Sequence, residues 1–587
     1  MEFVLGVETS VSGKRWIGRD FDERMAMTLS QRLGVSELTG QVMAARQVNL
    51  DEANTFLNPT LRDLLPDPYR FKGMKEGVAR LSAAIQNEEL IAVFGDYDVD
   101  GATSSALLRR FLNAVGAKST IYIPDRMSEG YGPNSAAMDT LKGQGVQVVV
   151  TVDCGTTSFE PLAHAKEIGL EVIVIDHHEA EVKHPECVAL INPKRLDEDT
   201  GFSHLAAVGM TFLFAVGVNR ALRETDWFKD DRKEPDLRNL LDLVALGTVC
   251  DVVPLQGLNR AFVIQGLKVM ARRGNAGLAA LADKAGVSET PEAYHAGFVL
   301  GPRVNAGGRV GESYLGANLL STDNARLAAE IAAQLDEYNK DRKELEQVVL
   351  DEAIAYADGQ EHSSIVVAVG RDWHPGVIGI VASRLKERYS LPACVISINE
   401  EGMGHGSGRS VTGVDLGTAI IAARQSGLLV KGGGHAMAAG FSVAEDKVAD
   451  LTDFLKERIG RQITEQNVQP TYKCDGVISP SAVTPALVEE MERIGPFGAG
   501  NAQPRFVLAG VTVQRADVVG SDHVRCFLTD QFGVRLKAIA FRALDSDLGQ
   551  ILLNHGGKKL HVAGRLKLDT WGGGTSVQLL IDDAAEA

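Results

Sequence analysis

The sequence predicts an α/β protein: two α/β lobes joined by a long helix, with a small β-barrel after them. Three observations predict it. Short apolar runs alternate with helical stretches over residues 90–255 and again from 363, the pattern of largely parallel sheets. The span from Thr322 to Asp358 holds neither Gly nor Pro. From about residue 470 the chain changes to short β-rich runs separated by glycine turns.

Residues 1–85 read as mostly helical, with turns around Pro59 and Pro66-Asp67-Pro68. Strand candidates follow at Leu90–Phe94, Ser119–Ile123, Val146–Val150 and Glu171–Ile175, with helices at Thr103–Val115, Ser135–Lys142 and Phe159–Ile168. A second helical portion covers about 203–300. It ends in Gly301-Pro302-Arg303-Val304-Asn305-Ala306-Gly307-Gly308-Arg309, too glycine-rich for a helix interior and read as a turn. Thr322–Asp358, rich in Ala, Leu, Glu and Lys, forms one helix of up to roughly 50 Å. Its apolar positions keep no heptad, which favours a strut between lobes over a coiled coil. Residues 363–460 begin with the strand-like Ser364–Val369 and carry the glycine-dense Gly402–Arg409 and Gly432–Gly440. Strand runs at Arg505–Val513, Val524–Thr529, Gly533–Phe541, Leu560–Leu568 and Thr575–Ile581, turns at Gly556-Gly557 and Gly572–Gly574, and a helix near 484–493 predict a closed or half-closed barrel. The resulting segments are 1–85, 86–255, 256–320, 321–358, 359–465 and 466–587.

A chain of 587 residues exceeds a single core. Its six cysteines, Cys154, Cys187, Cys250, Cys394, Cys474 and Cys526, form no close pair, against a zinc–thiolate site or disulfide scaffold. No basic-then-apolar leader and no long apolar run is present, so no membrane contact is expected and cytoplasm is the default. The net charge of −17 argues against nucleic acid as a partner, but an average conceals buried ligand carboxylates and local basic grooves. Residues 471–587, with twelve Lys or Arg and thirteen Asp or Glu, are close to neutral.

The chemistry is written at the strand ends. Val93-Phe94-Gly95-Asp96-Tyr97-Asp98-Val99-Asp100-Gly101 presents three carboxylates at alternate positions just past an apolar run. Thr151-Val152-Asp153-Cys154-Gly155 and Ile175-Asp176-His177-His178 follow, and a fourth acid stands in Gly247-Thr248-Val249-Cys250-Asp251. Open α/β sheets bind ligands outside the carboxyl ends of their strands, where these motifs fall. Crowded carboxylates repel one another unless a cation neutralises them. Hard oxygen donors favour Mg²⁺ or Mn²⁺, an imidazole tilts the choice toward Mn²⁺, and two such ions around a bridging carboxylate can hydrolyse a phosphoester. Each acid also has a plainer reading: a turn cap at Asp96–Asp100, an N-cap for the helix near Phe159 at Asp153. Gly101 is read as permitting a tight turn, with Thr103-Ser104 opening the next helix. Asp176 is placed to hold an imidazole tautomer.

Asp176-His177-His178, preceded by Asp-Tyr-Asp-Val-Asp-Gly, resembles the DHH phosphoesterase superfamily. GDYDVDGATS, VDCGTTS, IDHH and GTVCDVVPL together resemble the RecJ family, as do LGPRVNAGGRV, GSGRS and GGGHAMAAG. The resemblance implies a DHH lobe and a DHH-associated lobe. It likens the C-terminal β region to the family's oligonucleotide-binding (OB) barrel. It implies a 5′→3′ exonuclease specific for single-stranded DNA, with two Mn²⁺ or Mg²⁺ ions. It makes Asp96, Asp98, Asp100, Asp153, His177 and Asp251 metal ligands, with Asp153 bridging and His178 on the scissile phosphate. A single-strand-binding protein and a helicase are the partners it implies, with the protein itself a monomer.

Around that centre, Arg303 and Arg309 with Asn305 between them offer donors for phosphate. Ser407 and Arg409 offer a second anion nest; one pocket of this sort would hold the terminal 5′-phosphate, with His435 near the substrate phosphate. Trp373 reads either as a base-stacking residue or as a packed aromatic. Phe527, Phe532 and Trp571 read as stacking platforms or as barrel core. The rival readings are a DHH-type phosphodiesterase of short oligonucleotides or cyclic dinucleotides, which needs no barrel, and a non-enzymatic replication scaffold. The absence of a GxxxxGK[ST] loop argues against a kinase or ATPase.

Overall fold

The structure is a computed structural model describing residues 3–126, 128–229, 231–360, 363–569 and 575–587. The chain forms two compact units, residues 60–466 and residues 1–59 together with 467–587. The N-terminal segment is therefore divided. Residues 1–59 join the barrel, and only 60–85 join the first α/β lobe. Strand β1 (Arg15–Gly18) pairs in parallel with a strand more than 450 residues on, Arg15 opposite Thr471. Trp16 is fully buried and donates from Nε1 to Asp583 Oδ2 at 2.9 Å. Helices α1 (Glu23–Leu33) and α2 (Glu37–Ala45) pack into the barrel core, and Arg46 just beyond them donates to Asp475 and Asn501 at 2.9 and 3.0 Å.

The first lobe is a five-stranded parallel sheet: β2 (Ile91–Gly95), β3 (Ser119–Tyr122), β4 (Val148–Val152), β5 (Glu171–Ile175) and β6 (Ala189–Ile191), in the order β3-β2-β4-β5-β6. Both faces of β2 and β4 are covered, so both strands read as unbroken apolar runs. Ile91 and Val93 enter the core under helices α3 (Val99–Ala114), α6 (Ala207–Glu224) and α7 (Leu241–Cys250). Ala92 and Phe94 enter the opposite core under α4 (Ser135–Gly143) and α5 (Phe159–Glu167). The chain runs from β2 outward to β3, then crosses back to β4 on β2's other side. The carboxyl ends of β2 and β4 thus flank the switch point where such sheets open a ligand crevice.

Helix α8 (Gly257–Met270) covers α7 closely; a Cβ on Gly266 would lie 2.1 Å from the Leu241 carbonyl oxygen. A π-helical turn (His295–Leu300) then leads into α9 (Gly301–Val310). Residues 301–310 are thus helix, not turn, which corrects the reading from glycine content. The glycines serve close approach: a Cβ on Gly307 would stand 2.7 Å from the Glu312 carbonyl oxygen, and one on Gly308 3.0 Å from Tyr97.

Helix α10 (Ala325–Asp358) is the predicted strut, about 51 Å long at 1.5 Å per residue. Its first half buries Ala328, Ile331 and Leu335 in the first lobe, and its second half buries Val349, Ala353 and Ala357 in the second. The second lobe carries β7 (Val366–Arg371), β8 (Ala393–Ile398), β9 (Met403–Arg409), β10 (Lys431–His435) and β11 (Ala438–Ala444), in the order β10-β11-β9-β8-β7. Only β7 and β8 pair in parallel.

In the other unit, β12 (Thr471–Cys474) and β13 (Gly476–Ile478) precede the barrel strands β14 (Phe506–Val519), β15 (His523–Thr529), β16 (Arg535–Ala540), β17 (Lys559–Asp569) and β18 (Ser576–Glu586). The order β14-β15-β16-β18-β17 closes through β14–β17 pairing, which leaves these strands no free edge. Phe532 is exposed and Phe527 half-buried; Trp571 and the Gly572–Gly574 turn lie outside the described residues.

Gly247 sets the crossing of α7 on α3. A Cβ there would lie 2.3 Å from Thr103 Oγ1 and 3.0 Å from Asp100 Oδ1. Alanine is the better helix former by about 1 kcal/mol, yet Gly247→Ala is expected to lower unfolding free energy by about 1–3 kcal/mol through overpacking. Urea denaturation reads this directly, and an unchanged or raised midpoint would refute the close crossing.

Candidate metal centre

Strand β2 stops at Gly95, and Asp96 is the first residue beyond it. Asp98 caps α3, its Oδ1 accepting from Gly101 N at 3.0 Å. The helix thus opens at Val99, earlier than the expected Thr103-Ser104, and Asp100 sits in its first turn. Both Asp100 oxygens accept amides from the start of α6, Ala207 N at 2.7 Å and Val208 N at 2.9 Å, a helix terminus that favours an anion. Gly101 is helical, and its role is proximity: a Cβ would stand 2.4 Å from the Asp96 carbonyl oxygen.

Asp153 follows β4 with φ of 61°, in the left-handed region rarely taken by non-glycine residues. Its amide donates to Ile175 O at 2.9 Å, and the Tyr131 hydroxyl donates to its carbonyl at 3.0 Å. It is not an N-cap; Ser158 precedes α5. After β5, the Asp176 carboxylate accepts from the amides of Thr156 (2.9 Å), His177 (2.7 Å) and His178 (3.2 Å), and lies 2.7 Å from His178 Nδ1. It therefore fixes the His178 imidazole, as expected for an orienting acid.

These elements bring the acids and His177 together. His177 Nε2 lies 3.3 Å from Asp153 Oδ1 and 3.8 Å from Asp100 Oδ2, and its Nδ1 lies 3.6 Å from Asp251 Oδ2. Asp251 arrives from the C-cap of α7 rather than from a strand end, which corrects its expected placement. Three groups of candidate ligands result: Asp96, Asp98 and Asp153; Asp100, His177 and Asp251; Asp153, His177 and His178. In each, donor atoms lie within 4.8 Å of one another. Asp153 belongs to two of them.

The cluster is electrostatically incomplete. Asp96 Oδ1, Asp153 Oδ1, His177 Nδ1 and Asp251 Oδ2 are buried without a hydrogen-bond partner, an arrangement that costs free energy. Burial, with repulsion from neighbouring acids, pushes Asp96 up to about 8, Asp100 to about 7 and Asp251 to about 9, and raises Asp153 well above the carboxylate range. Burial lowers His177 to about 4, so its imidazole is neutral and able to ligate. Burial opposes both members of the Asp176–His178 pair, but their hydrogen bond and mutual charge prevail, lowering Asp176 and raising His178. Hard carboxylate oxygens with one neutral imidazole fit divalent Mg²⁺ or Mn²⁺.

The remaining expected residues are placed unequally. Arg309, on α9, donates from Nη1 to Gly376 O of the second lobe at 3.0 Å. Burial lowers its guanidinium to about 10, with the charges of Arg126, Arg342 and Arg409 adding to the effect. Ser407 and Arg409 share one face of β9, Arg409 Nη1 donating to Ser407 Oγ at 3.1 Å. Arg303 is instead engaged structurally, by Asp336 of α10 at 2.9 Å and by Val299 O at 2.7 Å. Asn305 is half-buried on α9. His435 ends β10, exposed, its Nδ1 accepting from Met437 N at 3.3 Å. Trp373 is a packed aromatic, buried in the second lobe and donating to Glu352 of α10 at 2.7 Å. Sequence reasoning missed Tyr131 and Arg126, whose guanidinium stacks 5.3 Å from the Tyr97 ring. Both lie in the connection after β3, where no periodic pattern marks them.

The fold and the acid–imidazole cluster define a DHH-type protein, and the DHH family N-terminal domain matches residues 90–248. The DHHA1 domain matches residues 362–461 and the RecJ OB domain residues 474–583. The chain belongs to the RecJ family. It is 33% identical over 582 residues to the single-stranded-DNA-specific exonuclease RecJ of Bacillus subtilis, covering 98% of this chain and 71% of that protein. It is 34% identical to the Escherichia coli protein of the same name, covering 90% of this chain and 92% of that one. The crystal structure of RecJ in complex with Mn²⁺ from Thermus thermophilus superposes with a TM-score of 0.79 at 28% identity, covering 96% of this chain and 78% of that one.

The raised carboxyl values carry a sign. A carboxyl whose folded value lies above its unfolded one near 4 binds more protons when folded, so stability falls as pH rises between the two. In chelator, the melting temperature is expected to fall from pH 5 to pH 9. Saturating Mn²⁺ should flatten or reverse that slope, because a cation takes the place of the protons. Differential scanning fluorimetry across pH, with and without Mn²⁺, checks it; parallel curves would contradict a cation site.

Proposed function

We propose that this chain is a metal-dependent exonuclease acting on single-stranded DNA, removing 5′-mononucleotides from the 5′ end. The observation that carries the reading is the buried cluster in which Asp153 is shared between two groups of candidate ligands. Asp96, Asp98 and Asp153 would hold one divalent ion, and Asp153, Asp100, His177 and Asp251 a second. Mn²⁺ or Mg²⁺ held there would supply positive charge to the phosphate oxygens and lower the pKa of water.

The chain's own residues do the positioning. Asp176 holds His178 by Nδ1 and favours its protonated form, so its other nitrogen donates to a scissile phosphate oxygen. The guanidinium forks of Arg309 and Arg409, with Ser407, take the terminal 5′-phosphate. Asn305 and His435 are assigned contacts with the same strand. Arg303 serves by fixing α9 to α10 rather than by binding phosphate. A terminus held one nucleotide from the cluster yields mononucleotides. The OB barrel binds further strand; on β15 and β16 the outward Phe527 faces Lys537 across the pair, setting an aromatic beside a cation. Among the described residues no helix is long and apolar enough to cross a membrane. The reading places the protein in the cytoplasm as a monomer, in DNA repair and recombination, beside a single-strand-binding protein and a helicase.

Digestion of single-stranded DNA labelled at either end, with Mn²⁺ or Mg²⁺, tests this. The 5′ label is expected to leave first, as a mononucleotide, and Asp153→Ala to lower the rate by at least about 100-fold. Early release of the 3′ label, or an active Asp153→Ala variant, would overturn it. Fully paired ends are expected to be poor substrates, since a duplex does not thread to buried acids; equal rates on paired and unpaired 5′ ends would refute that.

A further inference from the structure

The π-helical turn before α9 carries two large aromatic rings on its outer side. Tyr294 and Phe298 are 61% and 74% exposed, with ring centroids 5.4 Å apart and planes at 22°. Gly301 N donates to Ala296 O, five residues back, the hydrogen-bond pattern of a π-turn. The turn is anchored from within. The buried His295 accepts from Glu292 N through Nδ1 at 2.9 Å, and its Nε2 lies 2.9 Å from Glu289 Oε1. Arg303, tied to Asp336, takes the Val299 carbonyl. Hydrogen bonds of the buried His295 and the half-buried Arg303 thus fix the backbone that carries the two exposed rings.

The inner side of the turn meets the last residues of α7, the helix that ends at Asp251. A Cβ on Gly297 would stand 3.2 Å from Val249 Cγ1, and the Cys250 thiol lies 3.4 Å from Ala296 O. Val249 and Cys250 are the last residues of α7 before Asp251. No function assigned to any other residue here uses the pair.

We infer that Tyr294 and Phe298 form a stacking platform for unpaired bases of the substrate strand, on the 3′ side of the bond that is cut. This rests on the exonuclease reading: if one nucleotide lies 5′ of the cleaved bond, all other strand contacts are 3′ of it. Flat, stacked, rigid rings suit a base, whose π face is the same whatever the sequence. The platform therefore adds affinity for single strands without sequence preference.

The test compares wild type with Phe298→Ala, Tyr294→Ala and Phe298→Tyr, all at exposed positions, on single-stranded oligonucleotides with Mn²⁺. The alanine variants are expected to raise KM by roughly 5- to 50-fold, with the loss falling on KM rather than kcat, and Phe298→Tyr to restore it. On strands abasic at the second to fourth nucleotides, wild type should lose the same affinity and the variants should add no further deficit. Unchanged KM in both alanine variants, or a deficit that persists on abasic strands, would overturn the platform while leaving the nuclease intact. A wild type inactive on every single strand would remove the underlying reading, and this inference with it.

Discussion

Mutual repulsion among buried carboxylates is the constraint on which the first lobe depends. Asp96, Asp100 and Asp153 are almost wholly buried, with Asp98 and Asp251 beside them. Without a cation such a group either takes up protons or drives the elements apart. The surrounding structure resists the second outcome at each member. Asp100 is gripped by two amides of α6, Asp98 by its own helix, and Asp251 by the end of a helix buried on all sides. The acids cannot separate without breaking the packing of α3, α6 and α7, so protons, or a cation that replaces them, are what relieve the repulsion.

The same packing explains where glycine is needed. At Gly101, Gly247 and Gly266 a methyl group would collide with a carbonyl or a side chain, and the first two collisions involve Asp96 or Asp100 themselves. Backbones approach closely there because the acids must converge from two helices and two strand ends. Further out, Gly308 lets α9 press onto Tyr97, between Asp96 and Asp98, while Arg309 on the same helix reaches Gly376 of the second lobe. One glycine-dense helix thus links the acids to the second lobe.

How legible this was in the sequence follows from which interactions are local. The parallel strands stood out because β2 and β4 are covered on both faces, leaving unbroken apolar runs ended by acids. The strut stood out through its lack of Gly and Pro, though its burial in two successive cores was not visible. Over residues 301–310 glycine density suggests a break in helix, whereas it marks close packing, which depends on tertiary neighbours. Asp251 is recognisable as an acid but not as a helix cap, since nothing in GTVCD distinguishes a buried helix from a strand. The pairing of Arg15–Gly18 with Thr471–Cys474 has no local signature at all, so the N-terminal residues could not be assigned to the barrel. Among candidate phosphate ligands, Arg303 and Arg309 are chemically identical in sequence; only Asp336, on α10, separates the anchored arginine from the one facing other cations.

Backbone strain falls on the same acids. Asp153 has φ of 61°, and Val252, next to Asp251, has φ of 60°. For a β-branched residue such a conformation is costly, of the order of 1–3 kcal/mol. Both lie where a regular element ends abruptly and an acid enters the cluster, and both are held by neighbouring bonds: Asp153 N to Ile175 O, Val252 N to Val249 O. A relaxed turn at either place would aim the carboxylate elsewhere. Strain in the backbone and repulsion between side chains therefore act together, and both are sustained by a core that does not yield. A backbone held this firmly lowers the cost of rearranging the acids around an ion or a strand.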